Sequence, residues 1–128
     1  MLFLGLVSLP LSVWAQWVAQ PSDITPGRYA QFIDAVDSNV VWALAADPAN
    51  QSTPVQEFTK TIDGGNLWIS NPIGNAAGLS PSGISALNPD TAWVAMFNGT
   101  SGGGRILRTN DGGINWTWQS TAVFAAPA

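Results

Sequence analysis

Cysteine and histidine are both absent from the 128 residues, and only 9% of side chains carry charge. Without them the chain can supply no disulfide, no thiol nucleophile, no cysteine or histidine metal site and no Ser-His-Asp arrangement. It also lacks the cysteine on which a lipoprotein anchor is built. Carboxylates, Tyr29 and four basic residues (Arg28, Lys60, Arg105 and Arg108) are what remains for chemistry. Those four stand against eight acidic residues, for a formal charge of −4. That balance offers no basic stripe to displace counterions from nucleic acid and disfavours an anionic membrane surface, so neither is expected as a partner.

What the chain does have is aromatic residues and glycine, and they recur in order. Thr61-Ile62-Asp63-Gly64-Gly65-Asn66-Leu67-Trp68 returns 48 residues later as Thr109-Asn110-Asp111-Gly112-Gly113-Ile114-Asn115-Trp116, each copy preceded by a basic residue, Lys60 or Arg108. Other segments match at an offset of 51: Phe32–Val36 with Gly83–Leu87, and Val40–Ala45 with Thr91–Met96. Polar turns, Asp37-Ser38-Asn39 and Asn88-Pro89-Asp90, separate the paired segments, as in adjacent antiparallel strands. The second segment of each pair is almost wholly apolar and is expected to be buried on both faces, with Trp42 and Trp93 as core residues.

The two units diverge in one loop, Asp47–Pro54 against the Gly-rich Asn98–Gly104, and the shorter second loop accounts for the change of offset from 51 to 48. Variable loops between constant strands are where function usually resides. These two, with the loop Ser22–Arg28, are the candidate contacts for a protein or carbohydrate ligand.

Each unit reads as four short strands in about 48 to 51 residues. The expected fold class is all-β, a β-propeller fragment of about two four-stranded blades, with a β-sandwich as the alternative. The expected boundaries are 17–29 for a closing strand and loop, 30–71 for the first blade and 80–120 for the second. Trp17-Val18-Ala19-Gln20 looks like a third copy of the strand that begins at Trp68 and Trp116, without its upstream turn. Two blades cannot close a ring, so the remaining blades of a longer parent propeller are expected as partners. The unpaired edges of an isolated fragment should favour association.

Met1–Trp14 is uncharged and mostly apolar. That run is short for a bilayer-spanning helix and suits the apolar region of a signal peptide spanning 1–16, although no basic residue precedes it. A secreted or cell-surface protein is expected, with no membrane span after cleavage. Asn-x-Ser/Thr sequons occur at Asn50, Asn98 and Asn115. Low-complexity residues Ala125–Ala128 follow the last repeat.

Within the repeated motif, the Asp side chain can accept backbone N–H groups of its own turn, the glycines allow positive φ, the Thr hydroxyl can join the same loop, and the Trp ring can be buried nearby. Thr61, Asp63, Gly65, Trp68, Thr109, Asp111, Gly113 and Trp116 are therefore structural positions. A calcium site is disfavoured because the alternating oxygen ligands calcium prefers are missing, and no metal or other cofactor is expected. A catalytic pair of Asp63 and Asp111 is disfavoured because equivalent places in neighbouring repeats lie apart.

The motif resembles the Asp-box, or bacterial neuraminidase repeat, whose pattern Ser/Thr-x-Asp-x-Gly-x-x-Trp both copies satisfy at every fixed position. The chain is similar over about 17–120 to the N-terminal part of secreted propeller proteins common in Bacteroidetes. Asp-boxes also occur in sialidases, sortilin-type receptors and propellers similar to photosystem II assembly factors. The resemblance implies a propeller whose Asp-boxes lie at the sheet periphery, away from any active site. Sialidases are known for an arginine triad, a Tyr/Glu pair and an acid/base Asp. Here Tyr29 and Glu57 are the only residues of the Tyr/Glu types, and Arg105 and Arg108 flank a third strand, so no catalytic role carries over. A non-catalytic scaffold or ligand-binding module is the expected function. The alternative is a piece of a sialidase-like glycoside hydrolase whose catalytic residues lie outside this chain.

Overall fold

The structure, a computed structural model, describes residues 5, 17–50 and 52–124, with side chains as far as 121. The signal peptide expected at 1–16 and the tail at 125–128 lie outside the described residues. Eight strands form two sheets: β1 (Tyr29–Ala35), β2 (Val41–Ala46), β3 (Glu57–Thr61) and β4 (Ile69–Pro72), then β5 (Ser80–Ala86), β6 (Ala92–Phe97), β7 (Gly104–Thr109) and β8 (Thr117–Phe124). Each sheet is an antiparallel meander with its strands side by side in chain order. The chain finishes one sheet before starting the next, and β1 and β2 lie against β5. This is the blade arrangement of a β-propeller, a four-stranded meander repeated along the chain.

The repeat is visible even in the irregularities. β1 and β5 each carry a bulge, with Gln31 and Ser82, 51 residues apart, left out of the ladder. Pro81 is accommodated because β5 is an edge strand, where an absent N–H costs no ladder bond. Both strands start earlier than the apolar pattern alone predicts, at Tyr29 and Ser80, because pairing with β2 and β6 resumes beyond the bulge, through Tyr29–Ala46 and Ser80–Phe97.

Alternation along the strands gives each sheet a forward and a rear face. The forward face of the first sheet presents Trp42 and Phe58, and the rear face of the second presents Val94, Met96, Leu107 and Trp116. Between them the connection 73–79 inserts Ile73, Ala76 and Leu79, and all belong to one buried cluster. Its centre is aromatic. Phe58 stacks on Trp42 at 5.3 Å, and Trp116 meets both edge-on, at 6.4 Å and 5.6 Å. Such pairs add about 0.5–1.5 kcal/mol each beyond burial of their area.

Two expectations about burial change at the outer faces. β2 is buried on both sides, but in β6 only Ala92, Val94 and Met96 are buried, while Trp93 and Ala95 are partly exposed. No third sheet among the described residues covers the forward face of the second. Trp68, the first motif tryptophan, is likewise only partly buried, whereas Trp116 is fully enclosed.

The segment before β1 forms no ladder with either sheet. Residues 17–20 carry no strand, and Trp17 is fully exposed. A strand needs a ladder partner, and no described residue supplies one there. Residues 21–28 instead cross the rear face of the first sheet as a strap. Its fold copies the connection between sheets: Pro21 and Gly27 match Pro72 and Gly78, and Arg28 N donates to Thr25 O as Leu79 N donates to Ala76 O, at 3.1 and 2.9 Å. The chain thus enters the first sheet along the path by which it enters the second.

Trp116→Ala, which empties the inter-sheet core, should cost about 3–5 kcal/mol of stability in urea unfolding. Trp68→Ala, at the equivalent position, should cost only about 1 kcal/mol, the ordinary size of a point change. Equal losses would contradict the assignment of Trp116 alone to the core.

Candidate functional site

The two repeated motifs occupy the β3–β4 and β7–β8 turns, and the structure brings the Thr, Asp and second Gly of each copy together, while of the two tryptophans Trp116 bonds back to its own turn. Thr61 Oγ1 donates to Asp63 Oδ1 at 2.9 Å and accepts Gly65 N at 2.9 Å, while Asp63 Oδ1 accepts Leu67 N at 3.0 Å. In the second copy Thr109 Oγ1 donates to Asp111 Oδ1 and accepts Gly113 N, both at 2.9 Å, and Asp111 Oδ1 accepts Asn115 N at 2.9 Å. Asn115 Nδ2 adds a bond to Asp111 Oδ2 at 2.8 Å. These bonds favour the ionised carboxylates and hold both pKa values below the usual aspartate range, chiefly through Leu67 N–H at Asp63 and Asn115 N–H at Asp111. Carboxylates so engaged are poorly placed for proton transfer.

The second glycine of each motif is a hole. Gly65 and Gly113 are buried with φ of +92° and +93°. A Cβ at Gly113 would overlap Phe58 Cζ of the neighbouring sheet, and one at Gly65 would overlap the Gln20 side chain. Tryptophan follows the same division. Trp116 Nε1 donates to Gly113 O at 3.1 Å, while Trp68 Nε1 reaches out to Gln20 Oε1 at 3.2 Å.

The motif turns are tied to the β1–β2 and β5–β6 turns, through Gly64 N to Asn39 O at 3.0 Å and Gly112 N to Asp90 O at 2.9 Å. The divergent loops lie at the opposite end of the strands, and there the sheets leave two clefts. One, of about 300 Å³, is lined by Tyr29, Gln31, Asp47, Asn50, Ser82 and Phe97 among others. Tyr29 and Phe97 each keep 44% of their surface exposed. The second, of about 540 Å³, lies between the connection 73–79 and the Gly-rich loop, against Asn75, Asn98, Ser101, Arg105 and Trp118. Arg105 Cζ lies 3.4 Å from the Trp118 ring centroid, a cation–π contact. Asn98 holds the loop by accepting Thr100 N and Ser101 N at its Oδ1, both at 2.9 Å.

Two of the three candidate loops therefore line clefts. The third, Ser22–Arg28, does not: it is the strap, held by a polar cluster around Glu57. The Glu57 carboxylate accepts Thr25 N at 2.8 Å, Thr25 Oγ1 at 3.0 Å and Ser70 Oγ at 2.7 Å, and pairs with Arg28 Nη1 at 2.5 Å. Burial raises the Glu57 pKa, but the bonds from Thr25, Arg28 and Ser70 outweigh it and hold the group below its usual range. Glu57 is thus committed to clasping the strap, and it lines neither cleft. Among the described residues no group of three or more acidic side chains gathers where a metal ion could be held.

Sequence reasoning did not single out Tyr29, Phe97, Arg105 and Trp118 as cleft residues. The available signal was their place at strand ends beside the divergent loops, since an aromatic there cannot be covered by its own sheet.

No family model matches the chain, and no curated protein does. Among solved structures, one described as YCF48 bound to D1 peptide is similar, at 18% identity and a TM-score of 0.42. The likeness covers 78% of this chain and 46% of that one.

Two substitutions test the holes. Gly113→Ala combines a strained φ, about 1–2 kcal/mol, with overlap against a packed ring, about 1–3 kcal/mol more. Gly65→Ala meets only a flexible glutamine and should lose just the first amount in urea unfolding. For Glu57 the sign follows from a pKa lower in the folded chain. Its stabilisation is full above the ordinary carboxylate range and is lost as the pH falls through the folded value. Glu57→Gln should lower stability near neutrality by about 2 kcal/mol and leave a shallower decline in acid-unfolding curves.

Proposed function

We propose that this chain is a non-catalytic propeller scaffold, secreted or at the cell surface, that binds a protein or carbohydrate ligand at the loop end of its blades. The observation that carries the reading is the placement of the clefts. Both lie at the end of the strands where the two repeats differ in length and composition, and away from the turns where they agree. Uniform turns build the sheets, and divergent loops suit recognition.

The lining chemistry fits such ligands. Tyr29 and Phe97 offer exposed ring area beside the hydrogen-bonding groups of Gln31, Asp47, Asn50 and Ser82. Aromatic faces bordered by amide and hydroxyl groups suit a sugar ring or an extended peptide. The reading of the repeated motifs as Asp-boxes agrees, since such boxes belong to the sheet periphery. Export is supported by the uncharged apolar run Met1–Trp14. It predicts a mature chain beginning near Trp17, checked by N-terminal sequencing after expression in a secreting host.

The hydrolase alternative draws no support from Tyr29 and Glu57, because Glu57 is clasped by Arg28, Thr25 and Ser70. A panel of aryl glycosides should remain unhydrolysed by this chain, and turnover of any would defeat the scaffold reading. In a glycan and peptide array, Tyr29→Ala and Phe97→Ala should each weaken the binding seen with the parent chain by about tenfold, the value of 1.4 kcal/mol. Binding indifferent to both would place the ligand elsewhere.

A further inference from the structure

The two sheets meet through a small set of contacts at their motif end. Phe58 fills the hole at Gly113 and packs against Trp116. Lys60 lies over the Trp42 ring at 4.5 Å and donates from Nζ to Pro89 O at 2.8 Å and Gly112 O at 3.0 Å. Trp42 Nε1 donates to Asn88 O at 3.2 Å. The knob, the cation and the indole come from the forward face of the first sheet. The hole and the three carbonyls belong to the rear of the second.

The forward face of the second sheet presents the same set. Trp93 stands where Trp42 does, Ile106 where Phe58 does and Arg108 where Lys60 does. Arg108 lies over the Trp93 ring at 5.5 Å, and its Nε is buried with no hydrogen-bond partner. Such a nitrogen normally finds an acceptor, because leaving it unpaired costs free energy.

The rear face of the first sheet presents the complementary set. Gly65 has the same φ as Gly113, and Trp68 the place of Trp116. Asp37, Ser38 and Gly64 stand where Asn88, Pro89 and Gly112 do. The hole at Gly65 is filled by the side chain of Gln20, from a segment that forms no ladder. The strap need not move for another sheet to dock, since its counterpart 73–79 remains inside the existing interface.

We propose that the chain associates head to tail with further copies of itself, the forward face of the second sheet docking on the rear face of the first sheet of the next copy. Ile106 displaces Gln20 from Gly65, and Arg108 takes the carbonyls of Ser38 and Gly64. Charge supports the choice: a guanidinium whose Nε lacks an acceptor meets a rear face that offers backbone carbonyls. At the opposite end of the strands, the Glu57, Thr59 and Arg28 cluster replaces the apolar Leu107 and Leu79 of the internal interface. The contact between copies is therefore more polar than the one within the chain. The proposal rests on the propeller reading and is independent of ligand binding. An interface of this heterologous kind closes into a ring when the rotation allows.

Sedimentation velocity on the full chain over a concentration series tests this. The expected result is a species larger than the monomer whose share grows with concentration. Arg108→Glu, which blocks the forward face, and Trp68→Glu, which blocks the rear face, should each be monomeric, and their mixture should give a 1:1 dimer. Arg108→Lys should still associate, because Lys60 makes the same contacts internally, and Gln20→Ala should strengthen association. Trp68→Ala replaces Trp68→Glu if circular dichroism shows the latter unfolded. A parent chain monomeric throughout, association that survives Arg108→Glu, or variants that fail to complement would each overturn the proposal. A monomer that Gln20→Ala destabilises would overturn it too, by identifying Gln20 itself as the occupant of the Gly65 hole. Tyr29→Ala should leave association unchanged, which separates this proposal from the ligand-binding one.

Discussion

The insertion of Phe58 into the space above Gly113 is the contact through which the two sheets become one body. It sets an aromatic ring of one sheet over a residue without a side chain on the other. The Gly113 conformation in turn depends on Thr109 and Asp111, whose oxygens satisfy the turn's backbone donors. Trp116 then closes over the ring from the side, and Lys60 ties the turn carbonyls to the first sheet. A hydrogen-bonded turn, a hole and a packed ring are thus successive links in one dependence. The local bonds of the turn matter mainly because they shape a surface for a neighbour.

The same motif produces different environments according to what lies beside it. Thr61 and Thr109 are both almost fully buried, and both aspartates make matching bonds. Trp68 and Trp116, five residues on, differ in burial because only the second faces another sheet. Local geometry is set by the motif, while burial is set by the neighbour. This is the division expected of repeat architectures, in which stability is a sum of unit and interface terms.

The strand order and the position of both motif turns were legible in the residues, because alternating apolar runs, Asx turns and Gly-Gly pairs are local signals. The all-β class and the two four-stranded sheets followed from the repeat offset. The partial exposure of Trp93 was not legible, since an apolar run does not report whether its second face has a partner. Whether Trp17–Gln20 is a strand is not a local property either: it depends on an edge supplied from elsewhere, and neither sheet supplies one. Of the candidate site, the divergent loops could be found by aligning the repeats. The contact of Arg105 with Trp118 could not, because it joins β7 and β8 through a register shift between Arg105 and Leu107.

A hole has a consequence for descent that a knob does not. Gly113 accepts a phenyl ring and Gly65 a glutamine amide, so an empty socket places little demand on the identity of what enters it. A gene segment encoding one such unit can therefore be duplicated or deleted, and its neighbours' entering residues can drift, without a matching change on the receiving side. Variation is tolerated on one partner of each junction while the other stays fixed, which leaves the loops at the far end free to diversify from copy to copy.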